Sequence, residues 1–311
     1  MGTPPCEFPG QWFEFLAKGG GVDILVLGGT RFFGIHLVRE LLAQGHRVTL
    51  ATRGLAADEF ADRVGRLIVE RTDPDSLWQA FEGKRFDVVC DNLAYASNDV
   101  RNLLNCVDCH RYLMVSSASV YADKHLGTRE EEFDPLTFAL AWCSRGDFPY
   151  DETKRQAECA LFQSYPLQRS AAVRFPFVIG EDDYTQRLYF YVEHVVKGQP
   201  MHINNLESQL GFLRSDEAGK FLAHLASSGF CGSLNGCSHG TISVAEMLAY
   251  LETKTGHRAV LAPDGDTAPY NWLEDFSLDT GLAERGGFVF SSLKDWIYRL
   301  LDHYVAITRA S

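Results

Sequence analysis

The chain has 311 residues, enough for two domains or for one large α/β domain with a smaller appendage. Its apolar fraction of 46% and charged fraction of 23% are ordinary for a soluble globular protein, and no apolar run approaches the roughly 20 residues of a membrane span. The net charge of −12 disfavours general electrostatic binding of nucleic acid. We therefore predict a soluble, cytoplasmic protein that binds neither a membrane nor nucleic acid in general.

The eight cysteines are scattered through predicted strands, helices and loops, unlike the dense framework of a small secreted domain. Reduced thiols are therefore expected. Cys106 and Cys109 stand beside His110, but a second ligand pair at metal-site spacing is hard to find, so no metal site is predicted.

The first regular elements follow an N-terminal extension, residues 1–21, that is rich in proline and glycine. An apolar run at 24–27 reads as a buried strand, and apolar residues at helical spacing predict a helix over about 34–44. A second strand follows at 47–52. These elements make a βαβ unit within about 30 residues.

The alternation continues along the next part of the chain. Further strands are predicted at 66–70, 86–90, 111–116 and 171–175, with helices near 74–82, 98–108 and 150–164. Alternation of this kind indicates a parallel sheet covered on both faces. The prediction is an α/β fold, a Rossmann-type doubly wound parallel sheet over residues 22–180.

After about residue 180 the pattern is less regular. Helices are predicted near 186–197, 216–227, 243–255 and 292–306, between loops rich in glycine and proline. Residues 181–311 are interpreted mostly as a smaller C-terminal substrate-binding lobe. Part of 206–230 is expected to return to the Rossmann domain.

A glycine-containing turn joins the first strand to the first helix, which is the context that gives such a turn meaning. Backbone amides and the helix dipole at that point favour a pyrophosphate. Gly28 permits the tight turn, and Gly34 permits close packing of helix on strand. The turn reads Gly28, Gly29, Thr30, Arg31, Phe32, Phe33, Gly34.

The second strand ends without the acidic residue that grips the ribose 2′-OH in many NAD-binding chains. Arg53 stands there instead, and Arg31 lies in the glycine turn. Both guanidinium groups suit charge-assisted hydrogen bonds to a 2′-phosphate, so NADP(H) is favoured over NAD(H). The alternative is that both arginines are solvated surface residues.

Tyr150 and Lys154 stand four residues apart on a predicted helix and therefore share a face. A nearby ammonium lowers the pKa of a phenol toward working pH, which makes it a usable general acid or base. The same spacing recurs at Tyr250 and Lys254, which we interpret as a solvated helix face.

These motifs, in their order along the chain, resemble those of the extended short-chain dehydrogenase/reductase family. Within that family they are most similar to the epimerase/dehydratase-like members with an Arg-containing glycine turn. The resemblance covers roughly residues 22–256. It includes the glycine turn, the serine-rich strand end at 113–121, the Tyr150 and Lys154 pair, and the segment 173–180, which packs near the nicotinamide in the family.

The resemblance implies a role for each matching residue. Tyr150 would transfer the proton, Lys154 would lower its pKa and bind the nicotinamide ribose, and Ser117 would hold the substrate oxygen. Ser116 or Ser119 is the fallback for Ser117. The cofactor-binding residues expected from these patterns are Gly28, Thr30, Arg31, Phe32, Phe33, Gly34, Arg53, Glu70, Leu93, Ala94, Lys154 and Pro176.

Two classes of function are considered, and the first, an enzyme, is favoured because Ser117, Tyr150 and Lys154 occur together. The first is an NAD(P)-dependent epimerase, dehydratase or reductase that acts on a nucleotide-sugar or a small carbonyl or alcohol substrate. The second is a non-catalytic protein that senses NADP(H) or associates with RNA. The resemblance also implies a homodimer formed through the helices near 98–108 and 150–164. Aromatic and cationic candidates for substrate contacts in the lobe are Tyr184, Arg187, Tyr189, Arg214 and His239.

Overall fold

A computed structural model describes residues 21–310, so nearly all of the predicted N-terminal extension lies outside the described residues. The strands are β1 (Asp23–Leu27), β2 (Arg47–Thr52), β3 (Gly65–Ile68), β4 (Arg85–Asp91), β5 (Asp108–Ser117), β6 (Arg169–Phe175), β7 (Phe177–Ile179), β8 (Pro200–His202), β9 (Gln209–Leu210), β10 (Phe212–Arg214), β11 (Gly232–Asn235), β12 (Ile242–Ser243), β13 (Val260–Leu261) and β14 (Asp266–Thr267).

The α-helices are α1 (Phe33–Ala43), α2 (Pro74–Phe81), α3 (Ser97–Leu104), α4 (Tyr150–Cys159), α5 (Arg187–Lys197), α6 (Ser215–Ala226), α7 (Val244–Thr255), α8 (Gly281–Arg285) and α9 (Ile297–Ala310). A π-helical turn, Ala160–Ser164, continues α4, and short 3-10 helices lie at Ala61–Arg63, Ala118–Val120, Glu130–Glu132 and Leu293–Asp295. Within the described part of the chain, no helix has both the length and the apolarity that a membrane crossing needs.

The central sheet has seven strands in the order β11-β6-β5-β4-β1-β2-β3, and every neighbouring pair is parallel. Strand β1 lies inside the sheet, between β4 and β2, and its apolar run is buried. At its carboxyl end Leu27 is level with Ala51 of β2 and Asp91 of β4. The loops that follow these strands therefore meet at one edge.

Helices cover both faces of the sheet, which confirms the predicted doubly wound architecture. Helices α1 and α6 pack on one face and α2, α3 and α4 on the other. The α1–α6 contact is close because Gly219 has no side chain: a Cβ there would lie 2.5 Å from the Leu37 nitrogen. Although α6 and β11 follow residue 181, both belong to the sheet and its covering helices.

The remaining part of residues 181–310 builds a separate core around α5, α7 and α9. Short strand pairs border it: β7 with β10, β9 with β12, and β8 between β13 and β14. This lobe lies beyond the carboxyl edge of the sheet, because β7 continues directly from β6. It therefore forms one side of any cleft at that edge.

Two details differ from the sequence prediction. The helix predicted over 98–108 ends at Leu104, because Asp108 and the next residues pair with β4 and extend β5. The Tyr250 and Lys254 pair is not simply solvated. Both side chains donate to the Asp302 carboxylate of α9, at 2.7 and 2.8 Å, and so join two helices.

Candidate active site

The glycine turn brings the start of α1 close to the end of β1. Gly28 has φ of +79°, a backbone conformation that favours glycine. A Cβ on Gly34 would lie 2.0 Å from the Gly28 carbonyl oxygen, so only glycine permits this approach. The Asn92 amide donates to the same oxygen at 3.2 Å and fixes the turn to the end of β4. The start of α1, where the helix dipole favours an anion, thus lies at the sheet edge.

A cleft of about 440 Å³ opens beside this turn. The predicted cofactor residues that line it are Gly28, Thr30, Arg31, Phe32, Phe33, Arg53, Glu70 and Leu93. The other four do not line it. Gly34 packs behind the turn, Ala94 and Lys154 are buried, and Pro176 is half-buried after β6.

The cleft is strongly cationic. Arg31, Arg53, Arg71 and Arg145 line it, against the single carboxylate of Glu70 among the described lining residues. Hydrogen bonds from Thr72, and the nearby positive charges of Arg53 and Arg145, hold the pKa of Glu70 below its usual value. A lining of this kind fits a ligand that carries several phosphate charges.

Sequence reasoning missed Arg71 and Arg145. Arg71 is buried, and one of its terminal nitrogens donates to Asp91 at 2.6 Å. Its other two nitrogens have no hydrogen-bond partner among residues 21–310. Arg145 donates to Asp99 at 3.0 Å and to the Leu93 carbonyl at 2.6 Å. No motif marks either residue, although Arg71 directly follows the predicted Glu70.

Ser117 and Tyr150 lie close together but are not among the residues that line the cleft; the Tyr150 ring centroid is 6.2 Å from that of Tyr95, which does line it. Ser117 is the last residue of β5, and Tyr150 is the first residue of α4 and remains 52% exposed. Burial of the phenol raises the pKa of Tyr150, and the lowering effects of Ser117 and of the positive charge of Arg187 offset only part of that rise, so the expected lowering of this pKa is wrong for the chain by itself. A phenol placed between a hydroxyl and a cation suits proton exchange with a substrate hydroxyl.

Lys154 lies one helical turn further along α4 and is buried. Its ammonium donates to the Ala94 carbonyl at 2.7 Å and to the Val115 carbonyl at 2.9 Å. Burial lowers the pKa of Lys154 to about 8. The ammonium is 5.9 Å from the centroid of the Tyr150 ring, so the groups that lower the pKa of Tyr150 most are Ser117 and Arg187 rather than Lys154, contrary to the sequence expectation.

The two fallback serines have other surroundings. Ser116 is buried and donates to the Glu158 carboxylate at 2.5 Å, within an ion pair that Glu158 makes with Arg174. It therefore points into the layer behind the cleft. The Ser119 backbone N–H donates to the Ser117 hydroxyl at 3.1 Å, which helps to orient that hydroxyl.

The lobe residues proposed for substrate contacts divide into two groups. The centroid of the Tyr184 ring lies 5.8 Å from that of Phe32 in the glycine turn. The positive charge of Arg187 acts to lower the pKa of Tyr150. The other three are engaged elsewhere. Tyr189 packs on Tyr304, Arg214 pairs with Asp216, and His239 pairs with Glu284.

Comparison with known proteins connects this geometry to a family. Residues 24–105 match the NAD dependent epimerase/dehydratase family. The chain is 28% identical over 218 residues to the chloroplast stem-loop binding protein of 41 kDa b from Arabidopsis thaliana, covering 64% of this chain and 54% of that protein. It is 31% identical over 211 residues to the 2'-dehydrokanamycin reductase of Streptomyces kanamyceticus, covering 65% and 57%.

The chain therefore spans little more than half the length of these two relatives. Among solved structures, UDP-glucose 4-epimerase from Thermotoga maritima, determined with UDP-glucose, superposes with a TM-score of 0.71 at 17% identity, over 93% of this chain and all of that one. This likeness shows a shared fold. The similarity to the NAD dependent epimerase/dehydratase family lies in residues 24–105, which run from β1 to the end of α3 and include the glycine turn.

Proposed function

We propose that the chain is an NADP(H)-dependent epimerase, dehydratase or reductase in which Tyr150 is the general acid and base. The observation that carries this proposal is the Tyr150 phenol close to Ser117 and followed by a buried Lys154, next to a cleft that four arginines line and that is built on a glycine turn. These three side chains come from two elements that meet at the carboxyl edge of the sheet. In doubly wound sheets, ligands bind at that edge.

Each residue has a distinct role in the proposed reaction. When bound, the cofactor supplies a nicotinamide ring that accepts or donates hydride. Tyr150 takes a proton from the substrate hydroxyl or returns one to the carbonyl, while the Ser117 hydroxyl donates to the same substrate oxygen. Lys154 would donate to the cofactor ribose, and its positive charge, 5.9 Å from the centroid of the Tyr150 ring, would add to that of Arg187.

The preference for NADP(H) over NAD(H) rests on charge. Arg53 follows β2, where the adenosine ribose binds in this fold, and Arg31 and Arg145 line the same cleft. Within residues 21–310, neither Arg31 nor Arg53 forms an ion pair with a carboxylate. An additional phosphate would supply the acceptor that these guanidinium groups lack.

The relatives indicate a broad class of substrate. One relative is named as a reductase of dehydrokanamycin, and one structural neighbour holds UDP-glucose. Both compounds contain a secondary hydroxyl or the corresponding carbonyl, which is the group that Tyr150 would protonate or deprotonate. A nucleotide-sugar or a smaller carbonyl compound therefore remains the proposed substrate.

The direct test is Tyr150→Phe, which removes the phenol oxygen and keeps the ring. We expect turnover on a panel of nucleotide-sugars and carbonyl compounds to fall by about 10²-fold or more, with NADPH binding unchanged. Tyr250→Phe is the matched control, because Tyr250 also stands four residues before a lysine but lies on α7. Equal activity of wild type and Tyr150→Phe would contradict the proposal.

A second candidate is a binding protein without turnover, because one relative is named as a stem-loop binding protein. The net charge of −12 weighs against a broad RNA-binding surface. If the wild-type protein binds NADPH or a stem-loop RNA but turns over nothing in the panel, this candidate replaces the enzyme.

A further inference from the structure

Tyr95 lies in the turn between β4 and α3 and lines the cofactor cleft. The Asp99 carboxylate fixes its backbone by accepting from its N–H at 2.8 Å. The ring is therefore presented at a defined position. Its centroid is 4.5 Å from the Lys154 ammonium, 4.6 Å from the Arg145 guanidinium carbon and 6.2 Å from the centroid of the Tyr150 ring.

The surroundings of Lys154 explain why this ring matters. The ammonium is fully buried and donates to two carbonyl oxygens, but within the described residues it forms no ion pair with a carboxylate. An aromatic face within about 6 Å stabilises a cation, and the effect grows when water is excluded. The charged groups whose fields also reach the ammonium are Asp91 of β4, Asp99 of α3, Glu158 of α4 and Arg145 of the loop before α4.

We infer that Tyr95 is a positioning residue for Lys154: its ring face holds the ammonium charged and in place between α4 and the cleft. The inference rests on the proposed function only for its consequence in catalysis. Tyr95 does not touch reacting atoms in this role, and its hydroxyl is dispensable. The face of the ring is the part that acts, so phenylalanine replaces it and an aliphatic residue does not.

The sign of the effect follows from the charge. Burial alone favours the neutral amine, and a π face favours the ammonium, so removing the ring lowers the pKa of Lys154. With a pKa of about 8, roughly nine-tenths of Lys154 is charged at neutral pH. If the pKa of Lys154 fell by about one unit, about half of the Lys154 side chains would be charged at neutral pH.

The test follows Lys154 by NMR in protein labelled with ¹³C at the lysine ε carbon, without any cofactor. The Lys154 signal is assigned by its absence in Lys154→Met and titrated in wild type, Tyr95→Phe, Tyr95→Leu and Tyr95→Met. We expect the midpoint in Tyr95→Phe to match wild type. In Tyr95→Leu and Tyr95→Met it should fall by about 0.5 to 1.5 pH units.

Tyr184→Leu is the control, because Tyr184 lines the same cleft and contacts Phe32 rather than Lys154. It should leave the midpoint unchanged. A wild-type midpoint in whichever aliphatic Tyr95 variant folds, or an equal fall in Tyr95→Phe, overturns the inference. Since the titration needs no turnover, absence of NADPH binding would overturn the proposed function alone.

Discussion

At the scale of single residues, the cleft depends on arginines that come from distant parts of the chain. Arg31 and Arg53 were predicted because each stands at a motif position. Arg71, Arg145 and Tyr95 were not, because they reach the cleft only through tertiary packing. Arg145, for example, is held there by Asp99 and the Leu93 carbonyl, which lie 46 and 52 residues earlier in the chain.

Arg53 gives the sharpest test at this scale. Replacing it with serine removes a guanidinium group from the cleft, so we expect NADPH affinity to fall about 10- to 100-fold with little change for NADH. Fluorescence titration of both dinucleotides measures the effect.

Arg66→Ser is the control, since Arg66 lies on β3, opposite Leu50 of β2, but binds Asp58 and is outside the cleft lining. An equal loss of both dinucleotides in Arg53→Ser would show that this residue does not select NADP(H).

At the scale of elements, periodicity alone predicted most strands and helices, because each apolar stripe is buried as its spacing requires. The sequence could not predict what holds α4 in place. Arg174 of β6 and Glu158 of α4 form a fully buried ion pair at 2.6 Å, and Ser116 of β5 donates to the same carboxylate. Helix α4 is thereby fixed to two strands, an arrangement that depends on the three-dimensional packing.

Glu158→Gln removes one charge and leaves the Arg174 guanidinium buried without its counter-ion. We expect the free energy of unfolding to fall by about 3 to 5 kcal/mol in urea denaturation. Asp151→Asn breaks a half-exposed ion pair with Arg155 on the same helix, and should cost less than about 1 kcal/mol. Similar losses in the two variants would mean that the buried pair does not anchor α4.

At the scale of the whole molecule, the proposed homodimer would form through α3 and α4. Three large apolar side chains near these helices are exposed, namely Leu136, Phe138 and Trp142. Trp142 also stacks with Arg101 of α3, whose guanidinium carbon is 4.7 Å from its ring centroid. Exposed aromatic and arginine side chains of this kind are enriched at protein interfaces.

Light scattering tests the dimer directly. Wild type should have twice the chain mass of 34.8 kDa, and Trp142→Lys should shift the population toward the monomer. Trp272→Lys is the matched control, since Trp272 is an exposed tryptophan of the lobe. A wild-type mass of one chain would contradict the dimer.

We propose that the cationic cleft beside Gly28 binds a nicotinamide dinucleotide with a 2′-phosphate. The most direct measurement is calorimetric titration of the wild-type protein with NADPH and with NADH. We predict one site per chain for NADPH and weaker binding of NADH. Binding of neither dinucleotide, or tighter binding of NADH, would contradict the claim.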